Sequence, residues 1–213
     1  MKTLAVICDD REKFPLTFSP ILYHRPGEVI TTYRVVTKPI RLDARIKADT
    51  ELSIAMPADY FIEGYREVTV IERKASREEL MHNLFGSARK QKNFLYSLDQ
   101  MVAKAKFPYL FMDFRWSDLY TREVWSHERQ KNIRVEEQPF AIIDRLLRET
   151  SSRRIGIIGP MPARTPGNRR CAGDWVVRTM LAHIFPHPPS VQVHGQVFGK
   201  RDDGTQGVRA PKV

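Results

Sequence analysis

The chain has 213 residues, 42% hydrophobic and 28% charged, which suits one soluble globular domain, or one domain plus a tail. No apolar run is long enough to cross a bilayer, and the short apolar start meets Asp9 and Asp10 too soon for a signal peptide, so a cytoplasmic protein is expected. A net charge of +10 favours a polyanionic partner, and the two cysteines, Cys8 and Cys171, form no CxxC pair of the zinc-ribbon kind.

Leu4–Cys8 is a short continuous apolar run and predicts a buried strand that ends in Asp9-Asp10-Arg11-Glu12. Pro15, Pro20 and Pro26-Gly27 mark an irregular connection. The β-branched stretch Val29–Thr37 predicts a strand, Arg41–Lys47 is ambiguous, and Leu52–Ala55 suits a short strand. Asp59 precedes Tyr60-Phe61-Ile62 after a turn, and Val68–Ile71 predicts a strand running into Glu72-Arg73-Lys74.

Ser76 with Glu79 three residues on fits a capping box, opening a helix that lasts to Gly86. A second helix is predicted from about Ser87 to Ala105, with Phe94, Leu95, Leu98, Met101 and Val102 on one stripe. Arg89, Lys90 and Lys92 crowd its start, either as an exposed face or as a patch that contacts phosphate. Pro108–Asp113 predicts a strand, Trp116–Arg129 a polar helix, and Phe140–Leu147 an amphipathic helix. Trp116 and Trp125 suit packing or dimer contact better than base stacking.

Ile155–Gly159 predicts a buried strand and Asp174–Phe185 a last helix, with Arg164, Arg169 and Arg170 in a Pro/Gly loop before it. His183, His187 and His194 have no common metal-ligand spacing. From Pro186 onward Pro, Gly and polar residues dominate, so residues 188–213 are expected to be a flexible basic tail after a domain spanning 1–187. Strands followed by strand–helix alternation predict an α/β fold, with a mixed central sheet between helices on both faces.

Three pieces carry the chemistry: Asp9-x-Arg11-Glu12, Asp59, and Glu72-x-Lys74. Hydrolysis of a phosphodiester needs hard oxygen ligands for Mg²⁺ or Mn²⁺ and a nearby cation to position or activate the attacking water. On a strand, Glu72 and Lys74 share a face and Arg73 points to the other. With Asp59 on the neighbouring strand, two carboxylates and an ammonium converge, a like-charge cluster that is costly without a metal.

Asp9-Asp10-Arg11-Glu12, Ala58-Asp59-Tyr60 and Glu72-Arg73-Lys74, with Glu78 four residues after Lys74, resemble the signature of the XPF-type structure-selective endonucleases, a branch of the PD-(D/E)xK superfamily. The order of elements resembles the family to about Phe185. The resemblance implies a restriction-endonuclease-like three-layer fold and Mg²⁺- or Mn²⁺-dependent hydrolysis of DNA, at branched or distorted structures.

It implies that Asp9, Asp59 and Glu72 bind metal, that Lys74 orients or activates water, and that Glu12 completes the acidic side. Arg11 and Arg73 would buttress the site or hold phosphate, and Arg89 and Gln91 would touch DNA, with Lys90 beside them. Possible partners are a second copy or another subunit, and the location would be nucleoid-associated, or nuclear in a eukaryote.

Ala58 stands where the family has glycine and Glu78 where it has aspartate, and no tandem helix-hairpin-helix module follows. The alternatives are a non-cutting DNA-binding subunit of the same fold, a restriction-type or junction-resolving nuclease, and an RNA substrate.

Overall fold

A computed structural model describes residues 2–23, 31–42, 53–54, 58–136 and 139–185. The apolar start forms strand β1 (Lys2–Asp9), which pairs in parallel with β3 (Thr31–Leu42) and antiparallel with β5 (Tyr60–Ile62). Strand β6 (Thr69–Lys74) pairs antiparallel with β5 and in parallel with β7 (Phe107–Met112), which in turn pairs in parallel with β10 (Gly156–Ile158). Strand β2 (Ile21–Tyr23) and the short β4 (Ser53–Ile54) both flank β3. The order across the mixed sheet is β10-β7-β6-β5-β1-β3-β2, with β4 pairing β3 beside this path.

Helices cover both faces. On one face, Ile7, Phe61, Val70 and Leu110 pack with residues of α1 (Arg77–Phe85), α2 (Ala88–Lys104), α3 (Trp116–Leu119) and α4 (Phe140–Ser152). On the other, Val6, Cys8, Ile62, Ile71 and Phe111 pack with Val176, Val177, Met180 and Leu181 of α5 (Pro166–Ile184). Neighbouring residues of one strand thus enter different cores, as the pleat requires. Leu80 and Leu98 are fully buried, and each such side chain contributes about 1.5–3 kcal/mol of transfer free energy.

Two expectations are corrected. Trp116–Arg129 is not one helix: only α3 is helical, and a hairpin of β8 (Thr121–Ser126) and β9 (Lys131–Glu136) follows. Val124-Trp125 and Ile133-x-Val135 are strand-favouring residues, and Gln130 adopts a left-handed φ of 48° at the turn.

The last helix begins at Pro166 and not at Asp174, so Arg169 and Arg170 are helical. Thr165 caps it by accepting a hydrogen bond from Asn168 N at 3.3 Å, and Pro166 suits a first turn, where its missing N–H costs nothing. Its glycines resembled a loop, but Gly173 serves packing: a Cβ there would stand 2.2 Å from Thr17 O. Among the described residues no helix is long and apolar enough to cross a membrane. The expected tail and its histidines, His187 and His194, lie outside the described residues.

Candidate active site

The ends of β1 and β6, with the start of β5 between them, bring the acidic motifs together. Asp9 N donates to Asp59 O at 2.9 Å, and Asp59 N donates to Ile71 O at 2.9 Å. The Asp59 carboxylate accepts from Arg73 N at 2.6 Å, which fixes it against the end of β6.

Lys74 is buried on the α1/α2 face of the sheet. Its Nζ donates to Glu72 at 2.6 Å and to Glu79 at 3.3 Å, and it sits 5.3 Å from the centre of the Phe94 ring. Burial alone would lower the Lys74 pKa, but Glu72, Glu79 and Asp59 outweigh it and hold the ammonium above its ordinary range. Lys74 is therefore held as the ammonium rather than the free amine.

Asp59 is the acid most affected. Burial, then the Glu72 and Glu12 carboxylates, push it well above the usual carboxylate range, and Lys74 and the Arg73 N–H only partly offset this. Glu12 is also raised, by burial, against the opposing pull of Arg73.

Arg73 points to the other face, as strand alternation requires. It donates through Nε to Asp113 at 3.0 Å and through Nη2 to the same carboxylate. Its Nη1 donates to Glu12 and, at 2.8 Å, to Phe14 O. Asp113 in turn accepts from Ala163 N. This buried chain ties the ends of β6 and β7 to the segment after β10. Arg73 is buried, with Asp113, Glu12 and Phe14 O as the partners of its guanidinium.

Several expected site residues are placed differently from the motif reading. Both oxygens of Asp9 accept bonds from Arg11, including 3.0 and 3.1 Å contacts from Nε, so Asp9 is held in an arginine clasp. Glu78 is exposed, and the carboxylate that reaches Lys74 is Glu79. Glu79 accepts from Ala75 N at 2.9 Å, while its own N–H donates to Ser76 Oγ. The predicted capping box thus forms with its return contact on Ala75, and the same carboxylate joins the site. Gln91 donates to Gly86 O at 2.7 Å and accepts from Arg145 at 2.9 Å, which engages both ends of its amide. Arg89, Lys90 and Lys92 are exposed at the start of α2.

Asp113 and Glu79 are the residues that motif reading missed. In the sequence Asp113 only ended the predicted strand Pro108–Asp113, and the parallel pairing of Lys74 with Met112 is what brings it to Arg73. The signal for Glu79 was the cap itself.

The donor set suits a hard divalent cation in kind. Asp59 and Glu72 offer carboxylate oxygens, and a cation would relieve the repulsion that raises Asp59. Among the described residues, no group of three or more His, Cys, Asp or Glu is already gathered to hold a metal ion. Beside Glu72 and Lys74 the surface opens into a cleft of about 500 Å³ between α1 and α2. No family model, curated protein or solved structure matches this chain.

Proposed function

We propose that this protein is a metal-dependent DNA endonuclease of the XPF type, with a restriction-endonuclease-like fold. One observation carries the reading: Glu72 and buried Lys74 share one face at the end of β6, with Asp59 beside them, at the mouth of an open cleft. The arrangement of elements agrees with it. The antiparallel set β1–β5–β6 is followed by two helices and the parallel strand β7.

In this reading Asp59 and Glu72 hold Mg²⁺ or Mn²⁺, which when bound would polarise the phosphate and acidify a bound water. Lys74 keeps a positive charge beside the attacked phosphate and orients the water. Glu79 holds the Lys74 ammonium in place. Arg73, with Asp113 and Glu12, keeps the ends of β6 and β7 in register. Arg89, Lys90 and Lys92 supply exposed positive charge for backbone contact, so binding should weaken steeply with salt. The preference for branched or distorted DNA rests on the motif resemblance.

The test incubates the protein with labelled duplex, single-strand, flap, fork and four-way-junction DNA, with Mg²⁺, Mn²⁺ or EDTA. Lys74→Ala and Asp59→Asn run beside it. Metal-dependent cutting that both variants lose is the expected result. Binding without cutting under every metal would replace the enzyme with a DNA-binding subunit of the same fold, and cutting only at a defined base sequence would point to a restriction-type enzyme.

A further inference from the structure

Two helices packed side by side over a sheet normally turn apolar stripes toward one another. Where α1 and α2 flank the cleft, the stripes are polar. Helix α1 contributes His82 and Asn83, and α2 contributes Lys90, Asn93 and Ser97, at i, i+3 and i+7 spacing. None of these five is buried. Phe94 closes the floor, but Lys74 lies over its ring, which leaves that ring unsuited to stacking a base.

Charge is divided along the cleft. Glu72 and Glu79 line it together with Lys74, whereas Lys90 enters from the exposed start of α2. Between the charges lie two amides, a hydroxyl and an imidazole. These groups donate and accept hydrogen bonds, as the edge of a nucleobase does. In a duplex the Watson–Crick edge is occupied by the partner strand and the groove edges stay within the stack, so an unpaired base is the one that can enter such a cleft and offer a full edge to its wall. The volume lies within the range of small-ligand sites.

We propose that this cleft takes up one unpaired nucleotide of the strand being cut. Asn83, Asn93, His82 and Ser97 hold its base and sugar, and Lys90 holds its phosphate. The proposal rests on the nuclease reading above and supplies that reading with a reason for structure selectivity. A substrate with an unpaired nucleotide beside the cut gains contacts that a continuous duplex cannot offer.

The experiment uses the full chain and two DNA probes, a flap with an unpaired nucleotide at the junction and the matching continuous duplex. Cutting is measured with Mg²⁺, and binding by fluorescence anisotropy in EDTA. The Asn83→Ala/Asn93→Ala double variant should raise KM for the flap about tenfold, because each lost hydrogen bond costs a several-fold factor. Its kcat should stay within about twofold, since neither amide touches the reacting phosphate. Duplex binding should not change. Ser97→Leu, which fills the cleft without removing an amide, should give the same pattern.

If the wild type cuts but both variants keep its KM for the flap, the cleft proposal is overturned and the nuclease reading stands. If the wild type cuts nothing, the nuclease reading falls and anisotropy decides the cleft. A flap preference lost in both variants would uphold the proposal, and equal affinity for flap and duplex, or a preference kept in the variants, would overturn it.

Discussion

Arg73 and Lys74 are neighbours in sequence, and each is buried among carboxylates, yet they do opposite things. Arg73 faces Asp113 and Glu12 in a sealed place, with its guanidinium bonded on several sides. Asp113 is as buried as Arg73 itself and is paired with it, while the second carboxylate, Glu12, reaches the surface. Lys74 faces Glu72, Glu79 and Asp59 beside an open cleft, where carboxylates outnumber the cation and leave one acid strained toward its protonated form. The first arrangement is a clamp that stabilises. The second carries electrostatic cost, which fits the cation site proposed above. One residue of strand alternation separates them.

The largest effect should come from breaking the clamp. Arg73→Ala leaves Asp113 as a buried, unpaired carboxylate, and should cost about 3–5 kcal/mol, enough to unfold or nearly unfold a domain of this size. Chemical denaturation would read this directly, and Arg73→Lys should recover little, because an ammonium cannot reproduce the fork. A near-native midpoint for Arg73→Ala would erase the contrast between the two faces.

Lys74→Ala should show the reverse balance. Glu72 and Glu79 reach solvent and are less costly to leave unpaired, so stability should fall by only about 1–2 kcal/mol. Cutting of the best DNA substrate should fall by about two to four orders of magnitude.

Asp59→Asn sharpens the comparison through pH. The folded state holds the Asp59 proton more tightly than the unfolded chain does. Wild-type stability should therefore fall as pH rises from about 4, the unfolded carboxylate range, up through the raised folded value. The asparagine keeps an oxygen for the Arg73 N–H but carries no charge. In EDTA the variant should become progressively more stable than the wild type over that window, while losing metal-dependent cutting. Parallel stability curves for the two proteins would mean that Asp59 carries no such strain.

The smallest effect separates two neighbouring acids. Glu79→Gln should reduce cutting several-fold through a less firmly held Lys74, whereas Glu78→Gln, at an exposed position, should leave stability within about 0.5 kcal/mol and cutting unchanged. Equal losses from both would show that the contact between Glu79 and Lys74 has no part in the site.

Local sequence determined a good deal of this molecule. Apolar runs and β-branched stretches marked β1, β6, β7 and β10, and the Ser76 cap and helical periodicity marked α1, α2 and α4, because these signals act over a few residues. Strand alternation also placed Glu72 and Lys74 on one face and Arg73 on the other. The hairpin after α3 was not legible, because its few β-branched residues are interleaved with charges, and the first turns of α5 were hidden by its proline and glycines, of which Gly173 serves a distant contact with Thr17. Only the tertiary structure could decide which partner each charge chose. Arg11 closed on Asp9, Glu79 rather than Glu78 turned to Lys74, and Asp113 came to Arg73 from 40 residues away. Charge pairing depends on side-chain distances of a few ångströms, which the packed backbone sets for near neighbours and distant residues alike, and a sequence motif records only the kind and spacing of the residues along it.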